Sequence, residues 1–470
     1  MSAPWIVHAP AGYAAERAYI LDQVLGERLE LAWQLRAHER SDVRITLQGE
    51  EAGAAVVLPD VLFATEPRDW LTASSLPPRP LDWRPVPEPG ASSRERLPVL
   101  FGPRPAPPSL VWEEGPVVHV GLDVFGSAFF MLTRYEELAV SDRDRFGRFP
   151  AASSLACAEG FVGLPVVDAY VELLASALRR RWPRMETPRS NFGLRITHDV
   201  DRPLSFLGRG VRGAAKQLAA DAIVRRDTGL MARRVRSWAG IPRGDHRLDP
   251  DNTFDFLMKV SERYGMASAF YFLATEEKSS LEGYYTLDHP WIRQLMAVAH
   301  RRGHEIGFHG GFHTYRDARR TQVEFERLRA AATESGVQQD GWGGRQHYLR
   351  WENPATWTNW EQAGLDYDST LGFAERAGFR AGTCHGFHPF QLGERRTLRL
   401  REQPLIVMDA TLFEYMKLTP DAATAQVLGL AGQCRRYGGA LTLLWHNSRV
   451  QTAREQRWYS ALIDTLATAP

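Results

Sequence analysis

The sequence predicts an α/β protein of two domains. Three observations point there: the length, the alternation of apolar strand patterns with amphipathic helix patterns in the C-terminal half, and the acids and histidines at the ends of those strands. At 470 residues the chain exceeds what one ordinary hydrophobic core serves. Hydrophobic residues make up 44% and charged residues 24%, the balance of a globular protein. A formal net charge of +1 speaks against a surface given over to nucleic acid. Cys157, Cys384 and Cys434 lie far apart and form neither a disulfide framework nor a CxxC metal site; they read as buried thiols of a reducing compartment. The N-terminus lacks a basic stretch followed by an apolar run, so no signal peptide is expected. No apolar segment approaches the ~20 residues that span a bilayer. The expected location is cytoplasmic.

Residues 1–150 read as an N-terminal α/β accessory domain. Residues 15–36 carry apolar side chains at helical spacing, and 43–47, 55–58 and 117–122 read as short strands. Proline-rich connections follow at 76–89 and 103–108. Residues 151–190 read as a helix and linker: Val166–Arg181 is amphipathic, with arginines in its last turn where the helix dipole favours them, before Pro183 and Pro188. From 191 to 470 strand patterns at 194–197, 269–273, 305–308 and 441–444 alternate with helical ones such as 253–264 and 291–302. That rhythm favours parallel strands, in a barrel or an open sheet. Residues 202–252 interrupt it with a basic, helix-compatible insertion containing Arg209, Arg212, Lys216, Arg225, Arg226, Arg233, Arg234 and Arg236. It reads as a solvated helical segment, or alternatively as a platform for an anionic substrate or membrane surface.

The segment LRITHDVD (194–201) is a strand ending in two acids. Period-two spacing turns Asp199 and Asp201 to one side, and barrel active sites gather at the C-terminal edge of the strands. Alone, a DxD is more often part of a turn. The segment GHEIGFHGGFH (303–313) sets His309 and His313 four apart after a strand, with Gly310 and Gly311 letting the loop curl. Two imidazoles so placed can share a divalent cation, although many such pairs are structural. His304 precedes the strand and reads as structural. Two histidines and one aspartate leave positions open for water and substrate. All-N/O ligation suits zinc, which lowers the pKa of water and polarises a carbonyl. In LTLLWH (441–446) an apolar strand runs out into His446, whose near-neutral pKa suits proton donation. Taken by itself, a half-buried histidine bonded to backbone is the simpler reading.

In order and spacing these segments resemble the polysaccharide deacetylases, which share the chitooligosaccharide deacetylase homology domain. THDVD (197–201) is similar to the family's TFDDG motif, with the acids flanking an apolar residue. His309 to His313 resembles H(S/T)xxH, Arg345 to Tyr348 an altered RxPYG, Asp366 to Ser369 DxDS, and Leu444 to His446 LxH. The likeness covers roughly residues 191–450. It implies a distorted (β/α) barrel of seven strands beside the smaller N-terminal α/β domain. It makes Asp199 the general base, and Asp201, His309 and His313 the ligands of a divalent metal, zinc by preference. Arg345 would hold the base, the Tyr348 backbone N–H would stabilise the oxyanion, and Asp368 would orient His446 as general acid.

The chain departs from the family at His198, Val200, Asp201, Gln346, His347, Leu349 and Gly372. Phe373 is the expected substitute wall beside Gly372. Trp342 and Phe390 are the aromatics expected at the substrate, while His385 and His388 read as loop histidines. The implied activity is metal-dependent hydrolysis of an N-acetyl group on a sugar or glycan precursor, in the service of surface polysaccharide. The alternatives are a hydrolase of a non-sugar amide or imide, and an inactive carbohydrate-binding or scaffold protein.

Overall fold

The computed structural model describes residues 4–50, 53–86, 96–107, 109–188, 190–208, 228–240 and 246–468. Arg209, Arg212, Lys216, Arg225 and Arg226 of the basic insertion therefore lie outside the described residues. The chain divides into two compact units. The first comprises Met1–Phe192, Gly378–Pro404 and Gln433–Gly439; the second comprises Gly193–Ala377, Leu405–Gly432 and Ala440–Pro470.

The first unit is built on a mixed sheet. Its strands are β1 (Trp5–Pro10), β2 (Trp33–His38), β3 (Asp42–Leu47), β4 (Ala55–Pro59), β5 (Val111–Glu114) and β6 (Val117–Val120), in the order β2-β1-β3-β4-β6-β5. Helices α1 (Ala14–Leu21), α2 (Val124–Leu132) and α3 (Val166–Arg181) accompany it. The sequence of α2, VFGSAFFML, is buried at every residue, and the Asp123 carboxylate caps it by accepting the Gly126 N–H. The helix expected over 15–36 stops sooner. The helical run closes at Arg28, Glu30 takes a φ of 52°, and Trp33–His38 pairs in parallel with β1. Main-chain pairing at a sheet edge outweighs apolar spacing there.

A buried ion cluster ties the unit together. Glu137 lies between Arg134 (Nε to Oε1, 2.9 Å) and Arg380 (Nη2 to Oε2, 2.6 Å), and Arg134 Nη1 donates to the Arg380 carbonyl. All three residues are at most 2% exposed. Cys384 and Cys434 are buried and Cys157 is half-buried, and none of the three is in a disulfide.

The second unit is a distorted (β/α) barrel. Its strands are β7 (Gly193–Val200), β8 (Ser268–Leu273), β9 (Glu305–Gly310), β10 (Gly343–Gln346), β11 (Tyr367–Asp368), β12 (Val407–Met408) and β13 (Ala440–Leu444). They run in the order β11-β10-β9-β8-β7-β13-β12, every neighbouring pair parallel. Among the described residues no pairing joins β11 to β12, so the barrel stays open on that side. Helices α4 (Phe254–Glu262), α5 (Pro290–Arg301), α6 (Ala318–Glu334), α7 (Ala355–Ala363) and α8 (Ala453–Thr468) belong to this unit.

Parallel strands covered on both faces read as unbroken apolar runs, and β8 (SAFYFL) is buried at all its positions. In β10 the residue must be small. A Cβ on Gly344 would sit 1.7 Å from the Phe308 carbonyl oxygen, so only glycine lets β10 close on β9. No helix among the described residues is long and apolar enough to cross a membrane.

Candidate active site

Because the seven strands are parallel, residues that end them meet at one edge. Asp199 is the penultimate residue of β7, and Asp201 follows the strand. His309 lies in β9, opposite Arg345 of β10. His347 follows β10, Asp409 follows β12, and His446 comes two residues after β13.

Arg345 is fully buried and uses its whole guanidinium. Nη1 donates to Asp199 Oδ1 (2.8 Å) and to Thr197 Oγ1 (3.0 Å). Nε donates to the Ser369 carbonyl (2.8 Å) and Nη2 to Ser369 Oγ (3.1 Å). One oxygen of Asp199 is thereby fixed, and Oδ2 is left 3.8 Å from His309 Nε2.

His309 is 1% exposed, and its Nδ1 lies 2.8 Å from the Arg345 carbonyl. A carbonyl only accepts, so Nδ1 carries the proton and Nε2 presents its lone pair when the ring is neutral. That lone pair faces Asp201 Oδ1 across 3.0 Å, yet both atoms are buried without a hydrogen bond. Two electron-rich atoms so placed repel unless a positive charge sits with them. His347 Nε2 stands 3.6 Å from Asp201 Oδ2, and one ligand atom each from Asp201, His309 and His347 fall within 4.8 Å of one another. Burial would raise the Asp201 carboxyl, but the surrounding imidazoles, His347 foremost, hold it well below the usual range. Two nitrogens and a carboxylate fit a borderline divalent ion such as zinc.

His313 is placed elsewhere. It is exposed and groups with Glu277 and Glu282, so the HxxxH spacing does not bring it to Asp201. The physical reason is that the four-residue interval crosses the end of β9 and a turn, where no helical face aligns the two rings. His347 stands beside His309 instead. Immediately after it, Tyr348 (φ 60°) and Leu349 (φ 54°) occupy left-handed backbone, a conformation that costs about 1–3 kcal/mol for such residues and recurs at functional sites. The Tyr348 ring lies against His347 and Phe312.

His446 is gripped by Asp409 rather than Asp368. Its Nδ1 is 2.7 Å from Asp409 Oδ1, and its backbone N–H donates to Asp409 Oδ2 at 2.8 Å. The other ring nitrogen, Nε2, points to Asp201 Oδ2 at 3.4 Å. Burial opposes charge on this imidazole, but Asp409 and Asp201 more than offset it, and its pKa stands well above the histidine range. Asp368 is fully buried at the end of β11, where Oδ1 accepts from the backbone and hydroxyl of Thr370. Burial pushes its carboxyl up to about 7.

Of the three aromatics expected at the substrate, Trp342 precedes β10 and so lies at the opposite edge of the barrel, its backbone exchanging hydrogen bonds with Asp366. Phe373 is 3% exposed. Phe390 packs in the first unit against Tyr19 and Phe129, with ring centroids 4.9 and 5.6 Å away.

Residues 5–183 match the model of DUF7033, a family of unknown function. Among curated proteins none matches the chain. Solved structures similar to it are polysaccharide deacetylases and family 4 carbohydrate esterases. One is a candidate polysaccharide deacetylase from Mycobacterium smegmatis: 18% identity, 60% of this chain and 86% of that one covered, TM-score 0.40. Another is the family 4 carbohydrate esterase from Streptomyces lividans, solved with acetate: 12% identity, 59% and 89% covered, TM-score 0.30. A third is a family 4 pseudoenzyme: 7% identity, 59% and 62% covered, TM-score 0.28.

Two site residues were not singled out from sequence. Asp409 ends the buried run LIVM (405–408) just as His446 ends LTLLW, and that shared pattern is the signal that could have found it. His347 was noticed only as a departure from the third motif, although it follows a strand end as His309 does.

Proposed function

We propose that the second unit is a metal-dependent deacetylase that hydrolyses an N-acetyl group on a sugar or glycan precursor. The observation that carries this reading is the pair His309 Nε2 and Asp201 Oδ1, buried 3.0 Å apart with no hydrogen bond between them, beside His347. Asp201, His309 and His347 would hold the ion. A divalent cation there supplies Lewis acidity, making water a better nucleophile and polarising the acetyl carbonyl.

The chain's own residues do the rest. Arg345 pins Oδ1 of Asp199, so its Oδ2 takes the proton of the attacking water. Asp409 holds Nδ1 of His446, which makes Nε2 the atom that passes a proton to the departing nitrogen. The raised pKa of His446 keeps that proton in place at neutral pH. The Tyr348 backbone N–H, by its motif position, donates to the carbonyl oxygen as negative charge gathers there. A sugar substrate is supported by the order of the five sequence motifs from Thr197 to His446.

The test is metal analysis of the purified full chain together with acetate release from a panel of N-acetylated sugars, comparing wild type, Asp199→Asn and His309→Ala. We expect one ion in this site and acetate from wild type alone. Metal-loaded wild type that releases acetate from none of the sugars would remove the deacetylase reading.

A further inference from the structure

Beyond the residues used above, a second group of possible ligands is drawn from the loops that follow β8 and β9. Glu277, Glu282 and His313 each offer one atom, all within 4.8 Å of one another. Glu277 and His313 are exposed, whereas Glu282 is 2% exposed. Glu282 Oε2 accepts the Phe312 N–H at 2.7 Å, but Oε1 is buried without any hydrogen-bond partner. Burying a carboxylate oxygen with no donor is costly unless a charge or proton meets it.

A second carboxylate crowds the spot. Glu324 Oε2 accepts the Gly311 N–H at 3.0 Å. A Cβ on Gly311 would come within 2.8 Å of Glu324 Oε2 and 3.1 Å of Glu282 Oε2, so both carboxylates close on one α-carbon. The Gly311 and Phe312 amides each meet one of these carboxylates, and Glu282 Oε1 is left without a donor. One oxygen of Glu277 accepts from Arg320 Nη1 at 3.1 Å, which leaves its other oxygen for a further partner.

We propose that Glu277, Glu282 and His313 bind a second divalent cation, of the manganese or zinc class, between the loop that follows β8 and the one that follows β9. Two carboxylates and one imidazole suit borderline divalent ions, and the exposed Glu277 and His313 give an entry path. His309 then serves one ion and His313 another, so the short run between them is braced from both ends. This inference stands on its own ligands and does not depend on the deacetylase reading.

The test is titration of the metal-stripped full chain with Mn2+, following free ion by electron paramagnetic resonance. Glu282→Gln and His313→Ala should each bind one equivalent fewer than wild type, while His347→Ala keeps the ion of this second group. Should Glu282→Gln fail to fold, His313→Ala, at an exposed position, decides the matter. Binding of as many ions by His313→Ala as by wild type overturns the proposal.

Discussion

Asp409 holds His446 at two points, accepting from the backbone N–H with one oxygen and facing Nδ1 with the other at 2.7 Å. A carboxylate so placed fixes ring orientation and tautomer together, and it stabilises the protonated ring.

The first prediction follows from that pairing. Because the pKa of His446 is raised, the protonated acid is present at neutral pH and is lost only as pH rises through the elevated value. Asp409→Asn removes the charge that raises it, so the basic limb of the kcat/KM profile should move to lower pH. At pH 8 the rate should fall on the order of 100-fold. A pH–rate profile with an unmoved basic limb would count against His446 as the proton donor.

Asp199→Asn should lower kcat by roughly 10²–10⁴-fold, the usual contribution of a general base. The Arg345 contact to Oδ1 can persist in the amide, so bound metal should match wild type. Metal content and acetate release measured on one preparation separate the two effects, and a kcat within about tenfold of wild type would exclude Asp199 as the base.

His347→Ala and His313→Ala should behave differently. Losing a direct ligand at position 347 should weaken the active-site ion by more than the ~10–100-fold typical of an outer partner and abolish acetate release. His313→Ala should keep the active-site ion and most of the acetate release, since its ring groups with Glu277 and Glu282 and not with Asp201. Equal loss of acetate release in both variants would return His313 to the catalytic set.

In the first unit, burial raises the Glu137 carboxyl while Arg380 and Arg134 outweigh that and hold it below the usual range. A depressed folded pKa contributes stability that is complete above the unfolded value near ~4.3 and is lost as pH falls through the folded one. Thermal unfolding across that acid range should show the limb in wild type and a flatter one in Glu137→Gln. Arg380→Ala should cost up to about 3–5 kcal/mol at neutral pH, because it leaves buried Glu137 with Arg134 as its remaining guanidinium partner.

How much of this was legible in the sequence depended on how far each signal is local. Asp199, Asp201, His309 and His446 end apolar runs, and parallel strands gather such ends at one edge whatever the loops do. Asp409 also ends such a run, but its strand is two residues long, too short for alternation to register. The pairing of Asp368 with His446 rested on motif order, which carries no information about which of two strand ends lies nearer. His313 was drawn in by motif spacing and by glycines free to curl the loop, and neither fixes which way a ring points after the strand ends. Phe390 looked like a loop aromatic because nothing local marks 378–404 as part of the first unit. Trp342 was expected at the substrate from its loop setting alone, because the glycine-rich strand that follows it, Gly343–Gln346, carries no apolar pattern to show which edge it enters from.

Arg345 touches both halves of the proposed chemistry: its side chain clasps Asp199, while its carbonyl sets which nitrogen of His309 is bare. The backbone contribution survives any side chain at that position. Under the proposed function, a change at 345 would therefore strip Asp199 of its partner while leaving in place the carbonyl that orients His309, separating turnover from ion retention.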